Sequence, residues 1–313
     1  MRVAVLVNDD LNPRINWSTL GPPLTGALSA RRGFDRLSPS PLRGLGGAWH
    51  NVEIRREINR CDAVFWMQLS LRPELEVSLA NLGLKRPRRF VYMVDAWPYV
   101  LPRAGRALAL QGIETCFVAF REGYERLVHE YPQRRFVHLP FGYDDSVFRP
   151  TRDDQDIFAF SMGRRHEPIH RALKRYCNER GLRYVSSTGG AIRDPSELGR
   201  TVARSKYFVV TPPDLDHPER AGGFSPFVMR YLEGAGAGSR LLGVRPSSGE
   251  FESLLPDDSM LDVEPDGSDL AAKLDLDQLQ SPDRARQLAI AEEVARRHSW
   301  SRRASTIAEV ITH

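Results

Sequence analysis

The sequence predicts an α/β protein with two doubly wound, Rossmann-like domains. Short, continuous apolar runs alternate along the chain with helical stretches, as expected of buried parallel strands joined by crossover helices. The alternation is interrupted once, by the polar run 151–156 (TRDDQD), and then begins again. At 313 residues the chain is long enough to bury two cores.

In the first half, Val3–Val7 reads as a buried strand with Asn8, Asp9 and Asp10 at its carboxyl end. The stretch Asn12–Thr25, rich in proline and glycine, reads as a loop carrying Arg14 and Trp17. It lacks the spacing G-x-G-x-x-G, so a tightly held dinucleotide is not expected. A helix over Asn51–Asn59 leads to a strand at Ala63–Met67 (AVFWM), and a helix over Pro73–Leu82 opens on a proline. The strand Arg89–Val94 ends on Asp95, which therefore belongs at the carboxyl edge of the sheet. Strands at Thr115–Ala119 and Phe136–Leu139 flank a helix over Glu122–Tyr131.

The second half repeats the pattern. A strand at Ile157–Met162 is followed by a helix over His166–Arg180, a strand at Arg183–Ser186 and a helix over Pro195–Ala203. Next comes the strand Lys206–Thr211 (KYFVVT), the stretch Phe224–Ser239 (FSPFVMRYLEGAGAGS) and the strand Arg240–Val244. Helices are expected over Asp269–Leu276, Pro282–Arg297 and Trp300–Ile311.

The stretch Phe224–Ser239 is the most informative in the chain. Gly222 and Gly223 precede it, Pro226 suits a first helical turn, and Phe227, Tyr231 and Gly234 fall on one face. Glu233 then sits in the last turn, where the helix dipole disfavours a carboxylate. Either it is a solvated residue on a packed helix, or its charge is kept there to grip hydroxyl groups.

Composition sets limits on function. With 41% hydrophobic and 27% charged residues the chain is an ordinary globular one, and no apolar run approaches the ~18 residues of a membrane span. The amino terminus enters a strand directly, without the pattern of a signal peptide. Cys61, Cys116 and Cys177 are odd in number and widely spaced, so reduced thiols and a cytoplasmic location are expected. A net charge of +4 suits anionic ligands or loose contact with acidic lipid, but is too small and too evenly spread for nucleic acid.

Three segments resemble the GT-B glycosyltransferases, in particular the large retaining group that carries an E-x7-E pattern and the shorter spore-maturation-type relatives. His138–Pro150 (HLPFGYDDSVFRP) is similar to that family's interdomain segment, Phe224–Ser239 to its donor-binding helix, and His298–Ile311 (HSWSRRASTIAEVI) to its closing helix. The resemblance implies an amino-terminal acceptor-side domain over 1–150 and a nucleotide-sugar-binding domain over 151–297. Residues 298–313 are then a closing helix that returns to the first domain.

The same resemblance implies a transferase that moves a sugar from a nucleotide diphosphate donor, with retention and without a metal or other cofactor. Glu233 would bind the donor ribose. Arg164 and Arg171, with Gly163, Gly222 and Gly223, would hold the diphosphate, and Phe224 and Ser225 would line the sugar. Asp95 is the expected catalytic residue, standing where many members carry a histidine. From their place at strand ends, Asp9, Trp17 and Trp97 are expected to line the acceptor cleft, the tryptophans by stacking on a sugar or an apolar acceptor. Ser225 occupies the place of the first glutamate of the pattern. The acceptor is left open, whether a glycan, a lipid-linked sugar or a small metabolite.

The motif Asp214-Leu215-Asp216 matches the metal-holding D-x-D of another glycosyltransferase fold, but the triplet recurs at Asp275-Leu276-Asp277. Metal ligation is not expected of it, and His217, Glu219 and the other nearby polar residues are read as a solvated loop. The histidines show no metal-ligand spacing. A catalytically silent nucleotide-binding partner protein and a GT-B epimerase or phosphorylase remain as alternative readings.

Overall fold

The computed structural model describes residues 1–7, 20–40, 44–69, 77, 80–81, 83, 87–187, 192, 194–280 and 284–313. The chain divides into two compact units. One comprises Met1–Gly142 with Trp300–His313, and the other comprises Tyr143–Ser299.

The first unit is built on a six-stranded sheet. Its elements are β1 (Val3–Leu6), α1 (Gly21–Ser29), β2 (Phe34–Leu37), α2 (Gly44–Ile58), β3 (Ala63–Gln68), β4 (Arg88–Met93), α3 (Ala104–Leu110), β5 (Thr115–Val118), α4 (Arg121–Glu130) and β6 (Arg135–His138). All neighbours pair parallel, in the order β2-β1-β3-β4-β5-β6. The direction of winding reverses between β1 and β3, the place where open sheets of this kind bind ligands at their carboxyl edge. β3 is buried along its whole length, which accounts for its unbroken apolar reading.

The second unit follows the same plan. It contains β7 (Ile157–Met162), α5 (Glu167–Glu179), β8 (Tyr184–Ser187), α6 (Pro195–Ala203), β9 (Ser205–Val210), α7 (Met229–Gly236), β10 (Arg240–Gly243), β11 (Met260–Asp262), α8 (Leu270–Leu279) and α9 (Arg284–His298). Its five strands are parallel in the order β11-β10-β9-β7-β8, so the reversal lies between β7 and β9. Asp194 caps α6 by accepting from the backbone amides of Ser196 and Glu197, which explains the sharp start at Pro195. A buried charge cluster fixes α8 against the sheet. Asp277 pairs with Arg240 at 2.8 Å and accepts from the Tyr207 hydroxyl at 2.6 Å.

The final helix, α10 (Trp300–Thr312), belongs to the first unit and packs on α1. Its anchoring is specific. Trp300 meets Tyr92 edge-on at 6.4 Å, and Arg303 donates a fork of hydrogen bonds to the Phe141 carbonyl at 3.1 and 3.2 Å. A Cβ on Gly142 would come within 2.7 Å of the Trp300 ring, so the chain can cross there only as glycine.

The structure corrects several sequence expectations. Residues 21–25, expected in a loop, form the first turns of α1, because Pro22 and Pro23 lie where a helix start tolerates proline. The helix expected to open at Pro226 begins only at Met229. Val228 is extended (φ −111°, ψ 156°), and Phe227 packs into the core, stacked 4.9 Å from Tyr231. The short edge strands β2 and β11 escaped notice because charged residues interrupt FDRL and because MLD spans only three residues. The helix expected over Pro73–Leu82 lies mostly outside the described residues.

Candidate functional site

The observations converge on the carboxyl edge of the second sheet, at the reversal between β7 and β9. β7 delivers a turn with Gly163 in the left-handed region (φ 74°), a conformation natural to glycine. The Gly163 amide donates to the Ser187 carbonyl at 2.9 Å, tying the turn to the end of β8. Arg164 follows, half-buried, whereas Arg165 turns outward and pairs with Glu167 at 2.6 Å.

β9 delivers the long connection to α7. A single helical turn at Pro218–Ala221 ends on Gly222 (φ 54°), and Gly223 continues with φ 90°. Both glycines are exposed, and a Cβ on Gly223 would meet no atom within 4 Å. Backbone conformation, not crowding, is thus what selects glycine at position 223. Phe224 is half-buried beside this turn.

Ser225 has a different role from the one expected of it. Its hydroxyl donates to Asp214 at 2.8 Å and accepts from the Ser247 amide at 3.1 Å. With the side chain 3% exposed, it ties three segments together and does not present itself to a sugar. The neighbouring acid, Asp216, lies 2.8 Å from Nδ1 of His166, whose Nε2 lies 2.8 Å from the Pro265 carbonyl. The two carboxylates of Asp214-Leu215-Asp216 therefore engage different partners, whereas His217 and Glu219 just after them are exposed, as expected of a solvated loop.

α7 carries Arg230 and Glu233, three positions apart and so on one face. The guanidinium of Arg230 lies against Gly163. A Cβ built on that glycine would stand 2.5 Å from Nη2 and 2.9 Å from Cζ. Burial holds the pKa of Arg230 below its ordinary value, partly opposed by Glu233 and Asp216. Glu233 is not a solvated glutamate, because it is only 2% exposed. Desolvation raises its pKa to about 7, with Arg230 pulling it down and Asp144 pushing it up. Among the described residues no hydrogen bond reaches its carboxyl group.

α7 is held tightly to the sheet. A Cβ on Gly234 would overlap Phe208 and come within 2.7 Å of Leu241, and the Tyr231 hydroxyl donates to the Val244 carbonyl at 2.7 Å.

Two further expectations are corrected. Arg171 is exposed on α5 and lines a groove of about 620 Å³ with Arg175, Tyr176, Asp266 and Ser268. That groove contains none of Gly163, Gly222, Gly223 or Glu233. Trp97 is 3% exposed and packs edge-on against Phe120 at 4.8 Å, so its ring face is core and offers no platform for a sugar. Asp95 is half-buried after β4 in the first unit, with its amide donating to the Leu69 carbonyl at 2.6 Å. Asp9 and Trp17 lie outside the described residues.

Residues 164–309, which include Arg164, Gly222, Gly223 and α7 but not β7 or Gly163, match the family model described as "Glycosyl transferase-like". Similar solved structures extend the likeness to the whole chain. HepE of Anabaena in complex with UDP-glucose is similar with a TM-score of 0.64 at 10% identity, covering 100% of both chains. The chain has the GT-B fold.

Two other solved structures are similar in fold over the whole chain. Sucrose-phosphate synthase from Thermosynechococcus elongatus has a TM-score of 0.60 at 12% identity, covering 99% of this chain and 98% of that one. UDP-GlcNAc 2-epimerase from Neisseria meningitidis, bound to UDP-GlcNAc, has a TM-score of 0.56 at 10% identity, with 100% of both chains covered. No curated protein matches the chain in sequence.

Sequence reasoning passed over Arg230. Its signal was present in the three-residue spacing to Glu233, but nothing in the sequence links it to Gly163, 67 positions earlier.

Proposed function

We propose that the protein is a nucleotide-sugar-dependent glycosyltransferase whose donor seats on the second unit, at the carboxyl edge formed by β7, β9 and β10. The observation that carries this reading is Glu233, a nearly inaccessible carboxyl group without a protein hydrogen bond among the described residues. It lies in a segment that matches a glycosyl transferase-like model. An ionised carboxylate accepts two hydroxyl hydrogens, which suits a ribose. The left-handed turns at Gly163 and at Gly222-Gly223 bring backbone close to where a diphosphate would lie, and Arg164 adds positive charge beside them.

In the transfer, the bond between the anomeric carbon and the diphosphate oxygen breaks, and the diphosphate leaves with the electron pair. The acceptor hydroxyl forms the new bond and gives up its proton. Cations and amides aimed at the leaving diphosphate would stabilise its growing charge without a metal. Asp95 of the first unit is assigned to orient the acceptor hydroxyl or take its proton, and retention of configuration is part of the proposal. Among the described residues no helix is long and apolar enough to cross a membrane.

The test has two stages. A thermal-shift panel of UDP, GDP, ADP and dTDP identifies the base, since a ligand that binds only the folded state raises Tm. Radiolabelled sugar nucleotides of that base should then be hydrolysed slowly without acceptor. Tight binding with no turnover would point to a silent binding protein, and sugar isomerisation without release of nucleotide would point to an epimerase.

A further inference from the structure

We propose that Arg230 is the cation that grips the donor diphosphate, reaching it from the Cβ side of the Gly163 turn. This rests on the donor reading above and adds the residue that fixes the phosphates.

Position is the first argument. Arg230 opens α7, and its guanidinium fills the space that a side chain at Gly163 would take, 2.5 Å from Nη2 to an ideal Cβ. The cation is therefore seated at the carboxyl end of β7, on the strand that borders the reversal of the sheet. Gly163 is required there twice, by its left-handed backbone and by the guanidinium behind it.

Charge is the second. Among the described residues Arg230 forms no ion pair or hydrogen bond, while the acid nearby on the β9 connection, Asp216, is committed to His166. Burial lowers the pKa of Arg230, which marks the loss of water around it. A desolvated cation without a direct partner is costly to keep and is relieved by an anion that brings its own oxygens. The planar fork of a guanidinium fits a phosphate through two parallel hydrogen bonds.

The rival cations are placed differently. Arg165 is paired with Glu167, and Arg171 faces the groove between α5 and residues 266–271. Arg164, half-buried beside the turn, adds a second positive charge there.

The experiment is calorimetry on the full chain with the nucleoside diphosphate that raises Tm, its bare nucleoside, and inorganic pyrophosphate. Arg230→Gln should weaken the diphosphate and pyrophosphate about 10–100-fold and the nucleoside less than about twofold. Gly163→Ala should act in the same direction, because its Cβ displaces the guanidinium. If Arg230→Gln does not fold, as judged by its melting curve, Arg230→Lys decides. A point charge in place of the fork should cost the diphosphate several-fold and leave the nucleoside unchanged. Wild-type diphosphate affinity in the folded variant, or equal losses for diphosphate and nucleoside, overturns the assignment of Arg230 alone. A wild-type protein that binds none of the four nucleoside diphosphates overturns the donor reading, and this proposal with it.

Discussion

At the scale of single residues, Glu233 is the group whose protonation reports on the site. Its folded pKa of about 7 stands above the ordinary 4.5, so between those values the folded chain holds a proton that the unfolded chain has lost. Its stabilising contribution is complete below about pH 4.5 and is lost as pH rises through about 7. Glu233→Gln, which cannot ionise, should therefore match the wild type in denaturant unfolding at pH 4.5 and exceed it at pH 8. The difference should approach the order of 3 kcal/mol. Binding shows the opposite preference, because the ionised form is the better acceptor for ribose hydroxyls. Wild-type affinity for the bare nucleoside should rise between pH 6 and 8, and Glu233→Gln should abolish the rise. A flat wild-type profile by calorimetry would remove Glu233 from the ribose. Asp95 calls for a kinetic measurement. Asp95→Asn should lower transfer at least about tenfold with nucleotide affinity unchanged, and unchanged turnover with the acceptor would remove its catalytic role.

At the scale of elements, the donor edge depends on how α7 and its neighbours are held against the second sheet. Gly234 lets α7 lie directly on Phe208 and Leu241, and this close packing sets where Arg230 and Glu233 emerge. Asp277, on α8, anchors the other side of the sheet through Arg240 and Tyr207, and all of it but 6% is buried. Removing that carboxylate leaves a buried guanidinium without its counter-charge. Asp277→Ala should cost about 3–5 kcal/mol in urea unfolding. A loss below about 1 kcal/mol would mean that water replaces the pair. The same elements show how legible the sequence was. β3 and β7 were readable because continuous burial writes continuous apolar runs. β2 was not, since an edge strand need bury only part of itself and FDRL buries one residue fully.

At the scale of the whole molecule, the chain closes the first unit with its last helix after building the second. α10 buries Trp300, Ala304, Ile307 and Ile311 and reaches Phe141 through Arg303. Trp300→Ala should destabilise the first unit by about 3–5 kcal/mol, because the cavity between Tyr92 and Gly142 cannot collapse around a missing indole. Hydrogen exchange resolves the units separately. Faster exchange in β4 and α1, without change in β9 and β10, is the expected result. Uniform acceleration across both units would show that they unfold as one.

The sequence alone determined the α/β class and the candidate segment around Glu233; it put the restart near residue 151, whereas the second compact unit begins at Tyr143. Those features are local, written in apolar runs and glycine placement within a few residues of one another. Only the tertiary structure decided which side chains meet. It joined Arg230 to Gly163, bound Ser225 to Asp214 and turned Arg171 toward another groove. It also buried Trp97 against Phe120. Each depends on the rotation of a helix or the path of a loop against the sheet. Those are set by packing between residues distant in sequence, which hydrophobic periodicity does not encode.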